Sequence, residues 1–242
     1  LLINQNQNPI MYIRSQNSTV QATIEEMQDA LMSTSNFEFD ASATGIKYEK
    51  NNFSDLEQTY SSQNNGSFLT KRDFKSLNLI DNDDYLTIAG LLFMDKTPYK
   101  NANVICNTWP TNNKGTNDYV DSETLTGSIL YLVEQMINYV MSVDHYVFGG
   151  MVSGKYRKEI GSFSTRALRE AFINAVAHRD YKINGNEIIL DCYPDRIEIT
   201  SPGRTLQKNE ETVCEKLSSV HSIRRNKTIC DALVKCKLME EK

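Results

Sequence analysis

Positive charge is not in excess in this sequence of 242 residues: 26 Lys plus Arg stand against 31 Asp plus Glu, a net charge of −5. A protein that coats nucleic acid with its whole surface is thereby excluded, although a local basic patch is not. Apolar runs are short, Leu91-Leu92-Phe93-Met94 being typical of the longest, far below the roughly 18 residues of a membrane span. No basic segment followed by an apolar one opens the chain, so no secretory signal is read there. Histidines number three and cysteines five, at 106, 192, 214, 230 and 236, with no Cys-x-x-Cys. That argues against a zinc site and for reduced, mostly buried thiols in a cytoplasmic protein. There is no internal repeat and no low-complexity tract. The Gly-x-x-x-x-Gly-Lys-[Ser/Thr] loop that a helicase motor needs is also missing.

What is there reads as a globular α/β chain, with 40% hydrophobic and 24% charged residues. The length suits one large domain or two ordinary ones. Leu1 to Pro9 reads as a frayed arm, and Ile10 to Arg14 as a short strand. Thr19 is placed to cap a helix carrying Val20, Ile24, Met27 and Leu31. Asn36 to Asn52 shows little regular pattern. Ser54–Tyr60, Thr70–Leu79 and Leu86–Met94 read as three short helices, with Thr70 and Thr87 as N-caps. Val104 to Trp109 is a strand ended by Pro110. Leu125, Ile129, Leu132, Met136, Val140 and Val143 recur at helical spacing, which predicts one amphipathic helix from Ser122 to about His145, or a short coiled coil. Tyr146 to Ile160 follows as a strand or hairpin. Ser164 then caps a helix to about Arg179, and strands are expected over Glu187–Tyr193 and Arg196–Thr200 around a Pro194-Asp195 turn. Two short helices near Glu210–Leu217 and Lys227–Cys236 close the chain.

Glu170, Asn174 and His178 are spaced four apart, and at about 100° per residue they form one narrow polar stripe. Leu168, Phe172, Ile173, Ala175 and Val176 occupy the opposite arc. The amide oxygen of an asparagine is a hard ligand suited to Mg²⁺, and a carboxylate one turn away can orient and deprotonate a water. The outer face of an ordinary amphipathic helix accounts for the same spacing. Lys155, Arg157, Lys158, Arg166 and Arg169 make either a phosphate-facing patch or a solvated edge. Arg224-Arg225 with Lys227 could contact nucleotide phosphates or DNA at a helix start, or simply cap it.

The run Ala167-Leu168-Arg169-Glu170-Ala171-Phe172-Ile173-Asn174-Ala175-Val176-Ala177-His178-Arg179-Asp180-Tyr181, followed by Asp195 to Gly203, resembles one family. It is the group of prokaryotic transcriptional regulators related to RecG and Schlafen, in which an AlbA-type nucleic-acid-binding domain precedes a divergent GHKL (Bergerat-fold) ATPase-like domain. Ser222-Ile223-Arg224-Arg225-Asn226 is similar to the family's turn before its last helix. Tyr12-Ile13-Arg14 with Ser18-Thr19 resembles the end of the AlbA-type domain.

The resemblance implies a GHKL-like sandwich with a mixed sheet over 96–242, preceded over 1–95 by a helical lead-in and the remnant of an AlbA-type domain. It implies ATP and Mg²⁺ as cofactors, Glu170 as the water-activating base and Asn174 as the Mg²⁺ ligand. His178, Arg179, Ser201, Pro202 and Gly203 would complete the nucleotide site. The Asp-x-Gly that reads adenine in GHKL proteins is replaced here by Thr200-Ser201-Pro202-Gly203, with no carboxylate. The chain starts at Leu1 and ends on Glu240-Glu241-Lys242, which reads as a fragment stopping before the Gly-x-Gly phosphate lid. DNA is the implied partner, through the N-terminal domain or a C-terminal helix-turn-helix, and a homo-oligomer is compatible with it. The alternative is a structural, dimerising module that has lost nucleotide binding; a RecG-like helicase ATPase is the weakest reading.

Overall fold

The structure, a computed structural model, describes residues 2–5, 8–15, 18–23, 26–27, 38–114, 119–147, 151–153, 158–160, 163–203 and 224–240. The chain divides into two compact units, Leu1–Glu38 and Phe39–Lys242. The main sheet lies in the Phe39–Lys242 unit.

In the first unit, β1 (Leu2–Gln5), β2 (Asn8–Ser15) and β3 (Ser18–Gln21) form an antiparallel sheet in the order β1-β2-β3. The predicted strand is the middle of β2, and Leu2–Gln5 pairs with it instead of fraying. Thr19 is not a helix cap: it lies inside β3, paired with Arg14. β-branched Thr19 and Val20 suit an extended strand, whose ladder satisfies their backbone groups. The helical start moves to Thr23, whose hydroxyl accepts the Glu26 amide at 3.2 Å while the Thr23 amide donates to the Glu26 carboxylate at 2.8 Å. This is a capping box built on Thr-x-x-Glu. Ile24 and Leu31 lie outside the described residues.

The second unit opens with regular elements where little pattern was expected: two 3₁₀ turns, Phe39–Ala41 and Lys50–Asn52, flank β4 (Ala43–Lys47). Three short helices follow, α1 (Ser54–Gln63), α2 (Lys71–Ser76) and α3 (Ile88–Leu92), with β5 (Tyr85–Thr87) before the last and paired to β4. Thr70 caps α2 in a capping box with Asp73, and the Thr87 hydroxyl accepts the Gly90 amide at 3.1 Å, as the sequence predicts. Gly90 is required by proximity, because a Cβ there would sit 2.1 Å from the Leu79 carbonyl oxygen. Leu56, Phe74, Leu92 and Phe93 from this segment belong to the same buried cluster as the sheet residues.

The remaining elements are β6 (Asn103–Thr108), β7 (Asp121–Thr126), α4 (Ile129–Val147), β8 (Met151–Ser153), β9 (Lys158–Ile160), α5 (Thr165–Ala177), β10 (Ile188–Cys192), β11 (Ile197–Thr200) and α6 (Lys227–Lys235). The expected helix from Ser122 is therefore two elements. Asp121 to Thr126 pairs along β6, with Leu125 opposite Val104. Gly127, at φ +154°, separates strand from helix, and the Ser128 hydroxyl accepts the Tyr131 amide at 3.1 Å as the true cap. β8 and β9 pair antiparallel within the stretch read as a strand or hairpin, whose first residues, Tyr146 and Val147, instead end α4.

The main sheet has the order β11-β10-β6-β7, with β10 parallel to β6 and both outer pairs antiparallel. It is a mixed sheet in an α/β fold. Val104, Cys106, Ile188, Leu190 and Cys192 line its buried face. α4 lies on β6, β7 and β10, while α5 lies against α4 and edge strand β11. Leu168 and Phe172 on the buried face of α5 belong to the same core cluster as these sheet residues. Cys106, Cys192, Cys230 and Cys236 are free and buried, and burial pushes the first two and the last up to about 12 and Cys230 to about 11. Cys214 and the helix expected near Glu210–Leu217 lie outside the described residues. No described helix is long and apolar enough to cross a membrane.

Candidate functional site

α5 forms because its apolar positions recur at helical spacing. Leu168, Phe172, Ile173, Ala175, Val176 and Ala177 are buried. The polar stripe consequently points outward: Glu170 and Asn174 are exposed, and His178, the C-cap, is half-buried. Among the described residues neither the Glu170 carboxylate nor the Asn174 carboxamide has a hydrogen-bond or ion-pair partner. An uncommitted amide oxygen with a carboxylate one turn away fits a Mg²⁺ ion that keeps several waters.

The other end of this helix is tied down by side chains far away in sequence. The Ser201 hydroxyl donates to the Ala175 carbonyl at 2.8 Å, and the Tyr181 hydroxyl to that of Val176 at 2.9 Å. Asn226 donates its amide to the carbonyls of both Ala177 and Arg179, at 2.9 and 2.7 Å. Those of Ala175, Val176 and Ala177 are carbonyls that a helix end otherwise leaves without partners. The Asp180 amide donates to the Pro202 carbonyl at 2.7 Å, and the Asp180 carboxylate accepts from the Arg225 guanidinium at 2.9 Å. Ser201, Pro202 and Gly203, which follow β11, are thereby brought to the His178 end of the stripe.

Arg179 goes elsewhere. It is 1% exposed, donates to the Asn186 carbonyl at 2.5 Å and lies 5.0 Å over the Tyr181 ring. The guanidinium fastens the 180–187 loop through these contacts, while its Nε is buried without a hydrogen-bond partner. Arg224 and Arg225, offered as phosphate or DNA contacts, are paired with Asp231 at 3.0 Å and with Asp180. His178 lies near both arginines; burial first, and then their positive charge, lower its pKa. It is a neutral imidazole at neutral pH. Of the other basic candidates, Arg166 and Arg169 are exposed, while Lys155 and Arg157 lie outside the described residues.

Two polar centres escaped the sequence reading. Asp191, 1% exposed on central strand β10, accepts from Asn107 at 2.9 Å, Trp109 at 2.8 Å and Lys114 at 2.7 Å. Ser122 extends the row by donating to Asn107 at 2.9 Å. Burial pushes the Asp191 carboxyl up, but the three donors outweigh it and hold the pKa below the ordinary value. Beside it, Arg196 covers Tyr193 at 4.1 Å, Tyr193 lies parallel to Trp109, and Trp109 meets Tyr119. A lone carboxylate in the run Ile-Ile-Leu-Asp-Cys was the available signal, since a central strand reads as nearly all apolar. The second centre is Asp40, which accepts the Ile229 amide at 3.1 Å and so caps α6 from 189 residues away.

Residues 185–242 match the family model described as "Putative ATP-dependent DNA helicase recG C-terminal". That stretch contains β10, β11, the Ser201–Gly203 turn and α6; the Glu170/Asn174 helix precedes it. The segment is thus similar to the C-terminal, ATPase-like domain of RecG-related proteins. The crystal structure of the DIP2311 protein from Corynebacterium diphtheriae is similar over 96% of this chain and 46% of its own, with a TM-score of 0.65 at 16% identity. The chain spans about half of that protein's length, and the likeness is one of fold. No curated protein matches.

Proposed function

We propose that the Phe39–Lys242 unit is a nucleotide-responsive module of the divergent GHKL kind, serving a DNA-binding transcriptional regulator. The observation that carries this reading is an exposed carboxylate and carboxamide, one turn apart, on a helix whose end is bonded to the Ser201–Gly203 turn. That turn lies within the stretch similar to RecG-related ATPase-like domains. In this reading the Asn174 amide oxygen holds Mg²⁺, and Glu170 orients a water and accepts its proton. Bound Mg²⁺ would supply charge neutralisation to the phosphates. His178, kept neutral, offers one donor and one acceptor at the same helix end.

The base would meet the Ser201–Gly203 turn, which has no carboxylate to read an amino group. The Ser201 hydroxyl is itself committed as a donor to Ala175. Weak affinity and poor discrimination between ATP and GTP follow. The same two facts favour the second reading, a structural or dimerising module that keeps the fold without the nucleotide. Regulation and DNA contact rest on the family resemblance of the sequence.

Calorimetry on the full-length protein separates the two readings. Mg²⁺ and adenine nucleotide should bind together. Asn174→Ala should abolish the Mg²⁺-dependent part, while Glu170→Ala should leave binding nearly intact and remove hydrolysis, because a general base acts in the chemical step. No binding at millimolar nucleotide sinks the nucleotide reading and leaves the structural module.

A further inference from the structure

We infer that the Asp180–Arg225 ion pair is a positioning device for the Ser201–Gly203 turn, and that these two residues, which need not touch the nucleotide, set its affinity; the inference rests on the nucleotide reading above. Three ties hold the turn. The Ser201 hydroxyl donates to Ala175, and the Asp180 amide donates to the Pro202 carbonyl. The third is the pair itself, closing over Gly203. A Cβ on that glycine would lie 3.3 Å from the Arg225 guanidinium and 3.3 Å from the Asp180 Cβ. Gly203 also sits at φ +144°, a conformation that side-chain-bearing residues rarely adopt. The backbone therefore favours glycine at this one place, and the covering pair leaves little room for a side chain.

The pair is built for this role by its surroundings. The side chains of Arg225 and Asp180 are 16% and 15% exposed, so solvent and salt screen their attraction less than at the surface. Both carboxylate oxygens of Asp180 are used, Oδ2 by Arg225 and Oδ1 by the Lys182 amide at 3.1 Å. Arg225 stands beside Asn226, which holds the last carbonyl of α5 and that of Arg179 just beyond it. One dipeptide at the start of α6 thus fixes both the end of the Glu170/Asn174 helix and the turn next to it. A turn without a carboxylate can select a base only through its backbone groups, and these are useful only where they are pre-positioned. Loosening the pair should thus weaken nucleotide binding more than it weakens the fold.

The test uses the full-length protein with Mg·ADP as probe, and variants Arg225→Gln, Asp180→Asn and the double. Asp180→Asn is isosteric and still able to accept from the Lys182 amide, so it keeps the test open should the arginine variant not fold. Each single variant should lower ADP affinity about tenfold and the double no more than either alone, as coupled partners do. Hydrogen exchange at the Asp180 amide should quicken in each, while Tm moves by a few degrees at most. Faster exchange with unchanged affinity overturns the positioning role and leaves the nucleotide reading intact. Additive losses in the double variant overturn it as well. A wild type that binds no Mg·ADP overturns the nucleotide reading itself, and the role falls with it.

Discussion

Asn174 and Asn226 end up beside the same helix with opposite duties, because one points to solvent and the other is buried. Asn226 is 3% exposed and serves two carbonyls. Asn226→Ala strands both and should cost about 1–3 kcal/mol in denaturant unfolding. Asn174→Ala, on the exposed face, should stay within about 0.5 kcal/mol of wild type by the same measurement. His178 adds a pH signature. Its folded pKa is depressed, so the unfolded chain takes up the proton first as pH falls. Its contribution to stability is whole above the ordinary imidazole value near 6.5 and is lost as pH falls from there through the lower folded pKa. His178→Gln should flatten the stability curve in that window; an unchanged slope would show that other groups set it. Gly90 is dictated by the carbonyl that lies against it and Gly203 by its backbone conformation, which a sequence shows only as a glycine.

Among the elements, α5 was legible because burial on one side imposes a 3.6-residue period; Phe172 is fully buried on that side. Phe172→Ala should cost about 3–5 kcal/mol and lower Tm accordingly. β7 was not legible, since Leu125 falls at helical spacing from Ile129 while pairing in fact as a strand residue with Val104. A single apolar residue on an exposed edge strand cannot declare a period of two against a strong helix behind it. The same holds for Thr19, where β-branched residues and a nearby amphipathic pattern competed. β10 shows the converse: its apolar run was read correctly, but the cost of burying Asp191 was missed because the three donors come from positions 77 to 84 residues away. Asp191 has a depressed folded pKa, so its contribution is present above the ordinary carboxylate value near 4 and lost as pH falls below it. Asp191→Asn should remove that acid-limb component, and a urea series between pH 3 and 6 should reveal it.

At the scale of the molecule, charge belongs to the whole chain: at −5 net, residues 1–242 should bind duplex DNA weakly and without sequence preference, with affinity falling steeply as salt rises. Fluorescence anisotropy at two salt concentrations decides this, and tight sequence-specific binding would place DNA recognition within residues 1–242 themselves. By itself the sequence determined the α/β class, the caps at Thr70 and Thr87, the α5 stripe with Glu170 and Asn174, and the β10–β11 hairpin, since each is written in local spacing and turn chemistry. Only the tertiary structure decided that Arg179 is enclosed, that Arg225 pairs with Asp180, that Asn226 closes α5 and Asp40 opens α6, and that α5 packs on α4 and the sheet edge. The pairings of Arg225, Asn226 and Asp40 depend on which buried polar groups meet across 45 to 189 residues of chain. The requirement that every such group find a partner is a property of the packed molecule and leaves no period in the sequence.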